Sequence, residues 1–202
     1  MLKAIYFDYH GVLDRHTFRG LLETMGQTWL RTRNQDDQQY LNAFIQREQE
    51  PGHHYTAGKT VPAAYWHRIA QEYGQEVEKI GRQYLLHVQP IRETWNLVSL
   101  LHEKFDVGLF SDCPLDKKEA IRSAYALTEF FDYLVFSCDV QLSKRSPEFF
   151  NLLLQNGLFK SEECLIIDNS EANIKFAQKL GFQAHVYTTP EELQTFIETL
   201  HA

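Results

Sequence analysis

Residues 2–13 read LKAIYFDYHGVL, and this stretch decides the fold that the sequence predicts. Residues 2–8 form a run of β-branched and aromatic side chains that ends on Asp8, a pattern typical of a buried strand. Gly11 then interrupts the pattern. A carboxylate directly after a buried strand is costly unless it has partners or a chemical role. Asp8 is therefore the first candidate functional residue.

Beyond Pro90, helical and strand patterns alternate along the chain. Apolar runs predict strands at 106–111, 133–137, 164–168 and 183–188, and amphipathic patterns predict helices at 93–104, near Lys117, and at 147–157, 170–181 and 190–200. Alternation of this kind predicts an α/β fold with a doubly wound parallel sheet.

Residues 15–88 have a different character. Apolar residues recur there at three- and four-residue spacing, which predicts four amphipathic helices, with a loop at 51–60, PGHHYTAGKT. A chain of 202 residues has room for one ordinary domain and a smaller insert. We therefore expect a discontinuous α/β core, 1–14 plus 89–202, interrupted by a helical insert at 15–88.

Composition excludes several classes of protein. The 20 Lys and Arg against 27 Asp and Glu give a net charge of −7, which argues against a nucleic-acid binder. The widely spaced Cys113, Cys138 and Cys164 fit a reducing compartment better than a disulfide framework. Neither a signal peptide nor an apolar run long enough for a bilayer is recognisable. We expect a soluble cytoplasmic protein that does not bind membranes, and the sequence does not indicate its oligomeric state.

Three predicted strands end on polar residues: Asp8, Ser111 and Asp168. Ligands of open α/β sheets bind at the carboxyl ends of the strands. One interpretation is that each aspartate only caps the loop or helix after it. Two aspartates with a serine and a downstream lysine, Lys144, favour a common site.

Four short segments, each a weak signal by itself, occur in an order that is highly specific for one fold. They are Asp8-Tyr9-His10-Gly11-Val12-Leu13, LFSD with Ser111, Lys144-Arg145-Ser146-Pro147-Glu148-Phe149-Phe150, and Asp168-Asn169-Ser170-Glu171-Ala172-Asn173-Ile174. In these segments the chain resembles the haloacid dehalogenase-like hydrolase superfamily, in the branch with a helical cap inserted after the first motif. The resemblance implies a Rossmann-like core and covers nearly the whole chain.

The resemblance also implies roles for the matching residues. Asp8 would be the nucleophile that forms a covalent aspartyl intermediate. Lys144 and Ser111 would bind the phosphoryl oxygens, with Lys144 offsetting charge repulsion. Asp112 belongs to the same candidate substrate-binding group, although holding the loop after the strand is its simpler role. The implied cofactor is Mg²⁺, with Asp8, the His10 carbonyl, Asp168 and the Asn169 amide as candidate ligands.

Two positions depart from the family pattern. His10 stands where the pattern has a second aspartate, which transfers protons in phosphatases of the family. His10 either keeps that role, since imidazole can transfer protons, or has no catalytic function. Neighbouring carboxylates are expected to keep it protonated. Asn169 replaces a carboxylate of the usual acidic pair, so we expect weaker binding of a divalent cation.

The favoured function is that of a phosphatase acting on a small phosphorylated metabolite. One alternative is a metal-independent hydrolase of the haloacid dehalogenase type. Another is a family member that has lost efficient turnover and binds a phosphorylated ligand or a protein partner. His53 and His54 either face the cleft from the insert or lie in a solvent-exposed loop, and the exposed loop is the simpler interpretation.

Overall fold

The computed structural model describes residues 1–200, apart from the side chain of Asn156. Its centre is a parallel sheet of five strands in the order β3-β2-β1-β4-β5. The strands are β1 (Ala4–Phe7), β2 (Asp106–Ser111), β3 (Tyr133–Phe136), β4 (Cys164–Asp168) and β5 (Gln183–Val186). The predicted α/β class with a doubly wound parallel sheet is confirmed.

Helices occupy the insert and both faces of the sheet. Within residues 1–200 they are α1 (Phe18–Arg31), α2 (Gln38–Thr56), α3 (Pro62–Tyr73), α4 (Gln75–Leu86), α5 (Arg92–His102), α6 (Leu115–Ala124), α7 (Ser137–Val140), α8 (Pro147–Gly157), α9 (Glu171–Lys179) and α10 (Pro190–Thr199). Short 3₁₀ turns lie at Leu127–Glu129 and Ser161–Glu163. None of the helices in this part of the chain has the length and apolar character needed to cross a membrane.

Side chains of the central strand alternate between two apolar layers. Ile5 and Phe7 belong to a cluster with residues of α5, α6 and α10, whereas Ala4 and Tyr6 belong to a cluster with residues of α8 and α9. Every residue of β1 is buried. A strand that is covered on both faces buries every side chain, and burial disfavours polar groups. This explains the continuous apolar run at the start of the sequence.

The strand order places the carboxyl end of β1 at the point where the chain changes direction across the sheet. The chain continues from β1 to β2 and β3 on one side, and returns to β4 and β5 on the other. Phe7 pairs with Leu109 of β2 and with Ile167 of β4, so Asp8 emerges between these two strands. Ligand clefts of doubly wound sheets form at such a position.

The four insert helices surround an apolar cluster of their own, built from Leu21, Leu22, Met25, Phe44, Tyr55, Tyr65, Trp66, Ile69, Tyr73, Val77 and Leu85. The predicted loop at 51–60 is wrong for its first half, since α2 continues to Thr56. A Cβ on Gly52 would lie 2.0 Å from Cζ of Phe18, so the glycine permits close contact with α1 rather than ending the helix. Tertiary packing overrides the local loop signal there.

A second local difference occurs at the end of β3. The sequence predicts that the strand includes Ser137, but Ser137 is the first residue of α7. Its hydroxyl donates to the Thr56 carbonyl at 2.6 Å and accepts from the Cys113 N–H at 2.8 Å. The serine therefore connects the end of α2 to the sheet, and this long-range contact has no local signal in the sequence.

A buried polar cluster joins the insert to α6. The carboxylate of Asp116 accepts from the Tyr55 hydroxyl at 2.6 and 2.7 Å and from the Trp66 indole nitrogen at 3.0 Å. Tyr55 and Trp66 are almost completely buried. One carboxylate at the start of α6 thus fixes α2 and α3 of the insert against the rest of the chain.

We expect Asp116→Ala to lower the free energy of unfolding by about 1–3 kcal/mol, because the buried Tyr55 hydroxyl would lose its acceptor and the Trp66 indole would keep only the Tyr55 oxygen at 3.1 Å. Urea unfolding followed by circular dichroism measures this change. The matched control is Asp36→Ala, which removes an exposed carboxylate. Equal stabilities of the two variants would contradict the proposed importance of this cluster.

Candidate active site

Lys144 lies between the two aspartates that end β1 and β4. Its ammonium is 2.8 Å from Oδ1 of Asp8 and 2.7 Å from Oδ2 of Asp168. Lys144 is 2% exposed, Asp168 is completely buried and Asp8 is 8% exposed. The structure therefore brings together three of the predicted site residues from three distant segments of the chain.

Both aspartates also bind the backbone that follows them. Oδ1 of Asp8 accepts from the Tyr9 N–H at 2.7 Å, and Oδ1 of Asp168 accepts from the Ser170 N–H at 2.7 Å. Oδ2 of Asp168 also accepts from the Asn173 amide at 3.0 Å. Each carboxylate therefore caps the loop after it and also contacts Lys144. The capping role and the role in a common site do not exclude each other.

Burial and charge act in opposite directions on the ionisation of this cluster. Burial by itself would lower the pKa of Lys144, but Asp168 and then Asp8 raise it above its ordinary value. Burial raises the pKa of Asp8, and Asp168 raises it further, against the opposing effect of Lys144. The ammonium is thus held in its charged form beside the candidate nucleophile.

The loop after β1 is a tight turn around Gly11. The N–H groups of Leu13 and Asp14 donate to the Tyr9 carbonyl at 2.9 and 3.0 Å, and Gly11 has a φ of 80°. A Cβ on Gly11 would lie 2.1 Å from the Asn169 side-chain nitrogen. Glycine is required both by this backbone conformation and by the close contact with Asn169.

His10 lines the same cleft as Asp8 and is partly buried, with its ring edge against Tyr9. Burial of the ring, and then the charge of Lys117, lower the pKa of His10 to about 3. The expectation that neighbouring carboxylates keep His10 protonated is therefore wrong. Burial, Lys117 and Lys144 together outweigh the effect of Asp14, so the imidazole is neutral near pH 7 and is a weak base.

Ser111 and Asp112 follow each other at the end of β2. The Ser111 hydroxyl is buried and has no hydrogen-bond partner among the residues that the structure describes. Asp112 lines the cleft, and its Oδ1 accepts from the Lys144 N–H at 3.1 Å. Asp112 therefore holds the loop that carries Lys144. The substrate-binding roles of Ser111 and Asp112 remain predictions.

The donor set does not fit a tightly bound divalent cation. Both oxygens of Asp168 and Oδ1 of Asp8 already accept hydrogen bonds or contact Lys144. Asn169 offers only an uncharged amide oxygen, and the candidate donor of His10, its backbone carbonyl, is uncharged as well. Within residues 1–200, no cluster of His, Cys, Asp and Glu side chains has the arrangement of a metal site.

The cleft above these residues has a volume of about 550 Å³. Its lining includes residues of the sheet edge, Asp8, His10, Asp112, Lys144, Asn169, Ser170 and Asn173, and residues of the insert, Phe18, Arg19, Gln49 and His53. His53 therefore faces the cleft from helix α2, which corrects the interpretation of this segment as a solvent-exposed loop.

Sequence analysis missed the polar network beside His10. Asp14 is completely buried and accepts from the Tyr9 hydroxyl at 3.1 Å and from the Gln89 N–H at 3.2 Å. The buried ammonium of Lys117 is 3.3 Å from Asp14 and donates to the His87 carbonyl at 2.8 Å. Asp14 follows the first motif directly, but nothing local in the sequence marks Lys117 as its partner.

The fold and these contacts define an α/β protein with a buried carboxylate next to a charged ammonium in a cleft between sheet and insert. A model of the haloacid dehalogenase-like hydrolase family matches residues 2–181. The chain therefore belongs to the haloacid dehalogenase-like hydrolase family. It is also 31% identical, over 67 residues, to the mouse bifunctional epoxide hydrolase 2. That match covers 33% of this chain and only 12% of the mouse protein.

Solved structures of the same family share the fold. The enzyme BT-2542 from Bacteroides thetaiotaomicron, in complex with magnesium and inorganic phosphate, has a TM-score of 0.69 at 22% identity, over 94% of this chain and 96% of that one. L-2-haloacid dehalogenase from Xanthobacter autotrophicus, with chloropropionic acid covalently bound, has a TM-score of 0.62 at 15% identity, over 91% and 76%. At these identities the likeness concerns the fold alone.

We expect Lys144→Met to lower the free energy of unfolding by about 3–5 kcal/mol at pH 7, because two buried carboxylates would lose their shared counter-charge. Chemical unfolding at this pH measures the loss. The control is Lys104→Met, at an exposed position. A loss no larger than that of the control would show that the two aspartates do not depend on the ammonium.

We expect the unchanged protein to bind Mg²⁺ weakly, and the double variant His10→Asp with Asn169→Asp to bind it at least roughly tenfold more tightly. Two added carboxylates supply the charge and the oxygen donors that a hard cation prefers. Isothermal titration calorimetry with MgCl₂ measures both affinities. Tight binding by the unchanged protein would contradict our assessment of the donor set.

Proposed function

We propose that this protein is a phosphatase that hydrolyses a small phosphorylated metabolite through a covalent intermediate on Asp8. The observation that carries the proposal is the buried contact between Asp8 and Lys144, at the carboxyl end of the central strand and at the floor of a 550 Å³ cleft. A free carboxylate is a nucleophile, and the adjacent ammonium attracts and neutralises an anionic group.

In the first step, a carboxylate oxygen of Asp8 attacks the phosphorus, and the bond from phosphorus to the ester oxygen breaks. Lys144 offsets the repulsion between Asp8 and the phosphoryl oxygens. The Ser111 hydroxyl, which lacks a partner among the described residues, is a further candidate donor to those oxygens. The products of this step are an aspartyl phosphate and an alkoxide or phenolate, which takes a proton from solvent water.

In the second step, His10 accepts a proton from water while the water oxygen attacks the phosphorus. The bond between phosphorus and the Asp8 oxygen breaks, which releases phosphate and restores the carboxylate. Burial of the ring, and then the charge of Lys117, keep the imidazole in the neutral form that this role requires, and they also make it a weak base. No part of this proposal requires a bound metal ion.

We further propose that residues 15–88 form a cap that covers the cleft and selects the substrate, over a core of 1–14 plus 89–202. Phe18, Arg19, Gln49 and His53 reach the cleft from α1 and α2 of this segment. Exclusion of water by such a cap strengthens electrostatic interactions at the reacting atoms. A cytoplasmic location, which the three free cysteines favour, stays a prediction.

The poor donor set for a metal ion favours a second candidate function. A carboxylate can displace halide from carbon without a metal, and water then hydrolyses the resulting ester. A haloacid dehalogenase with a covalently bound substrate fragment shares this fold. A metal-independent dehalogenase activity is therefore the alternative to test beside phosphatase activity.

We expect release of p-nitrophenol from p-nitrophenyl phosphate, and we expect Asp8→Asn to reduce the rate by at least about 10³-fold. This probe suits the site because nitrophenolate leaves as a stable anion, so the first step needs no proton donor. The absorbance of nitrophenolate is followed with MgCl₂ and with a chelator. Asp36→Asn, a change at an exposed carboxylate, is the matched control.

Halide release from a 2-haloacid, measured in the presence of the chelator, separates the two candidate functions. Phosphate ester hydrolysis without halide release supports the phosphatase, and the reverse supports the dehalogenase. A rate that survives Asp8→Asn would exclude Asp8 as the nucleophile. Failure of both reactions across the pH range would leave a binding role for the same pocket.

A further inference from the structure

The outer part of the cleft carries positive charge that the proposed chemistry at Asp8 does not use. Arg145 follows Lys144 in the chain and lines the cleft from the sheet side, and Arg19 lines it from α1. Helix α1 also presents its N-terminus there and has no acidic residue in its first turn. A helix N-terminus carries partial positive charge, which adds to that of the two arginines.

The charge of the cleft differs from that of the protein. The chain has a net charge of −7, but the cleft is lined by three cationic side chains, Arg19, Lys144 and Arg145, and by two carboxylates, Asp8 and Asp112. Asp8 and Asp168 already neutralise Lys144 at the floor of the cleft. Near the mouth, Arg19 pairs with Glu23 at 2.7 Å and Arg145 pairs with Glu50 at 3.3 Å. Both ion pairs are exposed, so an anionic ligand that also reaches Lys144 can compete with the two glutamates.

Arg145 is positioned between the two sides of the cleft. Its guanidinium donates to Nε2 of His53 on α2 and lies 3.3 Å from a carboxylate oxygen of Glu50. The side chains of Arg145 and Glu50 are 52% and 66% exposed, and an ion pair this exposed contributes little free energy. An anionic ligand can therefore replace Glu50 at small cost, while His53 remains beside the guanidinium.

We propose that Arg145, assisted by Arg19 and His53, binds a second anionic group of the substrate, so that the substrate carries a carboxylate or a second phosphate besides the phosphoryl group at Lys144. The inference rests on the proposed function for the identity of the inner group.

The test is a measurement of binding, so that it does not depend on turnover. Phosphonates are not hydrolysed and present the same anionic oxygens as a phosphate ester. Isothermal titration calorimetry compares methylphosphonate, which has one anionic group, with phosphonocarboxylates and alkylene diphosphonates that have one, two or three methylenes between two anionic groups. The spacer series covers different separations, and the two families of compounds distinguish a carboxylate from a second phosphate.

We expect the best compound with two anionic groups to bind roughly tenfold more tightly than methylphosphonate, and we expect Arg145→Met to bring this ratio close to one. Arg145→Lys, which keeps the charge, should retain part of the preference for the compound with two anionic groups. Arg122→Met, at an exposed position on α6, should retain all of it. Thermal unfolding of each variant confirms that the fold is intact.

The proposal would be overturned if methylphosphonate bound as tightly as every compound with two anionic groups, if no phosphonate bound, or if the ratio survived Arg145→Met. Its failure is distinguishable from failure of the proposed function. A protein that discriminates between the phosphonates but hydrolyses no phosphate ester supports the second anion site and contradicts the phosphatase. A protein that hydrolyses p-nitrophenyl phosphate but binds all the phosphonates equally supports the phosphatase and contradicts the second anion site.

Discussion

The contact of one buried ammonium with two buried carboxylates is the constraint on which the rest of the structure depends. Lys144 can be charged in this interior only because Asp8 and Asp168 lie within 2.8 Å of it. Without the ammonium, burial of two ionised carboxylates at this point would strongly destabilise the fold. The three residues come from different parts of the chain. The strand order brings the two aspartates together, and the loop held by Asp112 brings Lys144 to them. The cluster therefore links the topology of the sheet to the chemistry at its edge.

A second buried carboxylate performs a comparable task for the insert. Asp14 accepts hydrogen bonds from Tyr9 before it and from Gln89 after the insert, and it contacts Lys117 of α6. The two segments that connect the insert to the sheet are thus fixed to each other at one point. Together with the contacts of Asp116, this arrangement fixes the helices of residues 15–88 to α6 and to the loop after β1.

Much of the fold was predictable, because buried parallel strands produce continuous apolar runs and surface helices produce regular spacing. The predictions failed where a distant contact overrides a local signal. Pro51 and Gly52 suggest a loop, yet Gly52 lies within helix α2 because it packs against Phe18. The ionisation of His10 was misjudged for the same reason, since folding buries the ring and brings Lys117 close to it, and these two effects outweigh that of Asp14.

The candidate site was predictable in its aspartates and its lysine, but its electrostatic balance was not. His10 and Asn169 each stand where the family pattern has a carboxylate. Both differences make the cleft less negative. Loss of negative charge weakens the binding of a divalent cation and strengthens the binding of an anion, because both follow from the same local potential. Each of the two differences by itself resembles degeneration of a metal site, but both shift the local potential in the same direction. That direction supports the proposed binding of a second anionic group at Arg145.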